Sequence, residues 1–159
     1  MNAIVEELSR SLPDAHEAAR VILRLLAALA AGTVIGLQRQ HSHTPAGLRT
    51  HMLVCLGVTL FILAVDGLGQ DALSRVIQGI ATGVGFLGAG AIMKEKEEHQ
   101  IRGLTTAAGI WMTSAIGVAI GLGRFGTALV GTICAWFVLA IVIKFEARDQ
   151  PADGAERSR

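Results

Sequence analysis

Two polar links carry the side chains of this sequence best suited to bind something. The first holds Arg39, Arg49, Thr50 and His51, and the second holds Lys94, Arg102, Thr105 and Thr106. A guanidinium forks two donors toward a phosphate or carboxylate, and a threonine hydroxyl adds another. The combination fits a phosphate, a lipid headgroup or an acidic partner at a membrane surface. Anchoring of helix ends at that surface explains the arginines equally well, but it explains the Thr105-Thr106 pair less well. A further pair, Arg24 and Asp66, belongs to the opposite end. Arg24 lies six residues inside an apolar run, where a charge needs a partner, and Asp66 closes the next run. The pair reads either as a charge pair that orients helices or as a polar, proton-linked cavity. Ser74 and Arg75 fall in the same half of the chain's thickness.

Catalytic and metal chemistry find less support. No serine has a histidine and an acid in a recognisable order. His41 and His43 offer two imidazoles with no cysteine or carboxylate nearby, a set that reads as solvated loop histidines and not as a metal site. The run Gly83-Val84-Gly85-Phe86-Leu87-Gly88 spells the GxGxxG of dinucleotide-binding turns. That fingerprint requires a strand before it and a soluble helix after it, and here it sits inside an apolar run. We therefore expect no enzyme, no catalytic residues and no bound cofactor.

Five apolar runs must position these residues: 18–37, 50–65, 76–93, 104–122 and 127–143. A helix that crosses a bilayer needs roughly 17–25 residues. Pro13 and Asp14 suit the start of the first helix, and Asp66-Gly67 closes the second. The third run, VIQGIATGVGFLGAGAIM, carries Gly79, Gly83, Gly85, Gly88 and Gly90. In water each interior glycine would cost a helix about 1 kcal/mol against alanine, whereas in a bilayer glycines let backbones approach closely. Gly32/Gly36, Gly79/Gly83 and Gly117/Gly121 are each four apart and so share a helix face. They predict a tight bundle, a homo-oligomer such as a dimer, or both. The fold class is an all-α polytopic membrane bundle of about five helices, or four if the glycine-rich run is re-entrant.

Composition agrees: 52% of residues are hydrophobic, 17% are charged, and the mean hydropathy is +0.52. Soluble domains are about a quarter charged. The net charge of +1 points to no nucleic-acid partner. The links 38–49 and 94–103 and the tail carry more Lys and Arg than the opposite side, which places the amino terminus outside and the carboxy terminus in the cytoplasm. Residues 1–17 read as a polar or amphipathic lead-in without a cleavable signal, 18–145 as the membrane domain and 146–159 as a disordered cytoplasmic tail. Cys55 and Cys134 lie in apolar runs and are expected as buried free thiols.

Four segments in order, RLLAALAAGTVIGLQRQ, PAGLRTHMLVCLG, SRVIQGIATGVGFLGAGAIM and IRGLTTAAGIW, resemble the MgtC/SapB family across roughly Arg24 to Gly121. The resemblance implies a multi-pass protein of the bacterial inner membrane, linked to magnesium limitation and, in some pathogens, to survival inside macrophages. Members are often labelled magnesium transporters, while the best-studied branch restrains the ATP synthase. The motif positions fall on Arg39, Gly47, Leu48, Arg49, Thr50 and His51. They continue on Ser74, Arg75, Gly79, Gly83, Gly85, Phe86, Gly88 and Gly90, then on Arg102, Gly103, Leu104, Thr105, Thr106 and Trp111. Gln38 stands where the family usually has an acid, which weakens any cation site there. Longer members also carry a soluble carboxy-terminal domain. Two functions follow: a regulator whose helix faces bind a membrane partner, or a small transporter of magnesium or another ion with the glycine helix along its path. Magnesium prefers several oxygen ligands, and Asp66 is essentially the only acidic residue in or beside the spans.

Overall fold

A computed structural model of the protein describes residues 14–41, 44–94 and 101–142. It is an all-α bundle of five helices: α1 (Ala15–His41), α2 (Leu48–Leu63), α3 (Gln70–Ala91), α4 (Leu104–Gly121) and α5 (Phe125–Phe137). A π-helical turn, Val138–Val142, continues α5. A two-residue antiparallel ladder, β1 (Met93–Lys94) with β2 (Ile101–Arg102), joins α3 to α4. Residues 1–13, His43 and the 146–159 tail lie outside the described residues.

Each helix starts where local chemistry allows. The Asp14 carboxylate accepts the Glu17 backbone N–H at 2.7 Å and caps α1. Glycines precede α2, α3 and α4, with no side-chain cap at any of them. At Gly103, before α4, φ is +96°, and an added Cβ would lie 2.0 Å from the Ala91 carbonyl oxygen. Only glycine tolerates both that backbone and the close return of the chain onto the end of α3.

α1, α3 and α4 are long and apolar enough to cross a membrane, and the two remaining apolar helices are shorter. α3 is one continuous helix of 22 residues, about 33 Å long. It begins at Gln70, six residues before the apolar run predicts. Large apolar side chains such as Leu26, Leu53, Phe61, Phe86, Trp111 and Leu129 point outward. A soluble bundle would bury that surface, and a bilayer covers it.

α2 lies between α1 and α4, α5 closes against α4 and α1, and α3 packs chiefly on α4 at the edge. One apolar core gathers Ala28, Ile35, Cys55, Ile116 and Ala135; a second gathers Val58, Ile62, Ile80, Val84 and Ile110. Small residues make the approach possible. A Cβ on Gly36 would sit 2.7 Å from Leu48 Cα, and one on Gly117 would sit 2.9 Å from the Cys55 carbonyl oxygen. Gly32 and Gly121 meet α2 as closely, at Met52 and Ile62. Two of the three glycine pairs are thus filled inside the chain. Gly79 and Gly83 are different: nothing lies within 4 Å of a Cβ at either, nor at Gly85 or Gly90, while Gly88 meets Ala107. Cys55 is buried as expected, but Cys134 is exposed, because it falls on the outward side of α5.

Candidate functional site: a buried arginine, histidine and threonine cluster

The two polar links come together, but they divide. Arg39 near the end of α1 and His51 in the first turn of α2 turn inward and are 2% and 0% exposed. Thr106, in the first turn of α4, is buried as well, and its hydroxyl accepts a hydrogen bond from Arg39 Nη2 at 2.9 Å. His51 Nδ1 lies 2.7 Å from the Thr113 hydroxyl, which itself donates to the Gly109 carbonyl. Among the described residues, Arg39 Nε and His51 Nε2 are buried with no hydrogen-bond partner. Arg49 and Thr105 instead point outward and Thr50 is half-buried. Arg102 lies on β2, and its side chain is not described. Among the described side chains, the expected surface patch is therefore an interior cluster, with Arg49 and Thr105 outside it. Helical periodicity causes the split: Arg49 and His51 are two apart, so they face different sides of α2.

Thr113, Gly109 and Thr59 are the members that sequence reading missed. Thr59 donates to the Gly117 carbonyl at 3.0 Å, tying α2 to α4. The signal for them is the row Thr106, Gly109, Thr113, Gly117, Gly121, spaced three and then four apart on one face of α4. Gln38, beside Arg39, donates its amide N–H to the Leu139 carbonyl in the π-helical turn. A carboxylate has no hydrogen to give that oxygen, so the amide at this position suits this contact.

At the other end, about 22 Å along α1 by helical rise, Arg24 Nη1 lies 3.3 Å from Asp66 Oδ2 and donates to the Gly121 carbonyl at 2.8 Å. The pair sits beside an open cavity of about 320 Å³ that Gly69, Gln70 and Leu73 also line. Ser74 and Arg75 are not part of it; both lie exposed on α3. Ser74, Gln78 and Thr82 follow one another at intervals of four, with Gly85 next along the same side, and all four are exposed. Thr82 donates to the Gln78 carbonyl at 2.9 Å.

These features define a polytopic membrane bundle, polar inside at both ends and small and polar along one outer helix. The MgtC family profile matches residues 25–148, and the chain belongs to the MgtC family. It is 46% identical over 122 residues to "Protein SrpB" of Synechococcus elongatus, covering 69% of this chain and 67% of that one. It is 47% identical over 112 residues to "Protein MgtC" of Salmonella typhimurium, covering 70% and 48%. Against "Putative magnesium transporter YhiD" of Escherichia coli strain K12 it is 41% identical over 133 residues, covering 77% and 60%. The chain thus spans about half the length of the MgtC relatives it matches. No solved structure matches it.

Proposed function

We propose that this chain is a regulator in the bacterial inner membrane that serves adaptation to low magnesium by packing against a partner membrane complex, for which the family resemblance suggests the ATP synthase. The observation that carries this reading is the outer side of α3. Ser74, Gln78, Thr82 and Gly85 are exposed there on a helix otherwise fit to cross a bilayer. The Gln78 amide has no hydrogen-bond partner among the described residues. Facing lipid, such groups are unfavourable, whereas facing another helix they hydrogen-bond and let its backbone approach. The inward Arg39 and His51 cluster serves to fix the ends of α1, α2 and α4, which holds α3 in place through α4.

The alternative is a small transporter of magnesium or another ion, and the YhiD name favours it. Against conduction, Asp66 is already paired through Oδ2 with Arg24 Nη1 at 3.3 Å. Substituting Gln78→Leu or Gly85→Leu tests the regulator reading. Neither residue touches the core, so both variants remain folded, and both lose support of growth in magnesium-limited medium. Proteoliposomes of the wild type pass no magnesium. Robust protein-dependent flux, with both variants fully active in growth, would sink the proposal.

A further inference from the structure

A second feature of α3 lies next to its polar side and faces α2. There the two helices leave an open, almost wholly apolar groove of about 700 Å³, a volume within the usual ligand-site range of roughly 300–1,000 Å³. Gly57 on α2 and Gly79 and Gly83 on α3 hollow it out, since a Cβ at any of the three would meet nothing within 4 Å. Phe61 and Leu87 line its walls. Arg75 supplies its one charge, at the end near the start of α3, and among the described residues it has neither a hydrogen bond nor an ion pair.

We infer that this groove holds a phospholipid of the bilayer, with one acyl chain lying along Gly57, Gly79 and Gly83 and the phosphate on Arg75. Charge and length both select that occupant. From Arg75 to Leu87 is twelve residues, about 18 Å of helix, and one leaflet of a hydrocarbon core of about 30 Å is about 15 Å deep. A guanidinium at one end of an apolar slot of leaflet depth matches an anionic headgroup with its chain below. Arg75 is five residues into α3, within reach of the headgroup layer for a long side chain. A second copy of the chain fits less well. Copies in one membrane share an orientation, so a two-fold pairing across this groove sets Arg75 against the other Arg75 at the same depth.

The test is native mass spectrometry of delipidated protein titrated with palmitoyl-oleoyl phosphatidylglycerol or with the diacylglycerol of the same chains. The wild type retains the phospholipid with roughly tenfold preference, the scale of one charge-assisted bond. Arg75→Gln removes the preference. Gly83→Leu, which fills the groove, loses both lipids. Gly126→Leu on α5, where a Cβ also meets nothing within 4 Å, binds as the wild type does. Equal retention by the wild type and all three variants would mean only a general lipid belt and would overturn the assignment. So would a dimer in the wild type that Gly83→Leu dissociates, because the occupant would then be a second copy.

Discussion

Replacing Thr106 by valine keeps the shape of the side chain and removes the one oxygen that Arg39 Nη2 reaches, at 2.9 Å. Arg39 is only 2% exposed, so its guanidinium cannot simply turn to water. Losing a hydrogen bond to a charged group costs about 1.5–3 kcal/mol. Arg39 lies two residues from the end of α1 and can relax part of the way toward the interface, which selects the lower half of that range. Thr106→Val should therefore destabilise the bundle by about 1.5–2 kcal/mol, a shift of roughly 10–30-fold in the folded-to-unfolded ratio. That exceeds the roughly 0.6 kcal/mol typical of a neutral bond between membrane helices, which makes this pair a sharper probe than His51 and Thr113. Equilibrium unfolding in mixed detergent micelles measures it, with exposed Thr105→Val as a control expected to stay within about 0.5 kcal/mol. If Thr106→Val matched that control, the buried cluster would not fix the helix ends.

The glycines separate by where a Cβ would go. Gly36→Ala drives a methyl to 2.7 Å from Leu48 Cα and should cost about 1–3 kcal/mol, whereas Gly79→Ala, into open space, should be neutral or stabilising by the same unfolding assay. Gly103→Ala meets both a φ of +96° and the Ala91 carbonyl, so it should lower the yield of folded protein on size-exclusion chromatography more than Gly79→Ala does. Gln38→Glu replaces the N–H donated to Leu139 with an acceptor and should destabilise the α1 and α5 contact by about 1–3 kcal/mol at neutral pH. Gln38→Met, which carries neither group, should cost less.

The architecture was readable because apolar runs and their breaks are local. Asp14 stands at a helix start for a chemical reason visible in the sequence alone, whereas the positive φ that requires glycine at position 103 emerges only from the fold. The division of the polar links was readable only in principle. Counting every third or fourth residue along α4 joins Thr106 to Gly109, Thr113 and Gly117, and the same count separates His51 from Arg49. The fate of the glycine pairs was not readable. Gly32/Gly36 and Gly79/Gly83 have the same spacing, yet one pair meets α2 and the other faces open space, because spacing sets a shared face but not which face the bundle covers. Cys134 teaches the same point, since in a membrane an apolar neighbourhood in sequence does not imply burial in the protein. Gln78 and Thr82 were overlooked among the glycines, although their interval of four with Ser74 marks one side of α3.

The central claim is that this side of α3 docks a membrane partner. A photo-crosslinking amino acid at position 78, irradiated in native membranes, tests it most directly, with position 129 on the outward side of α5 as the lipid-facing control. The account predicts a discrete adduct with a larger membrane protein from position 78 and none from position 129. Adducts with a second copy alone, or the same products from both positions, would contradict it.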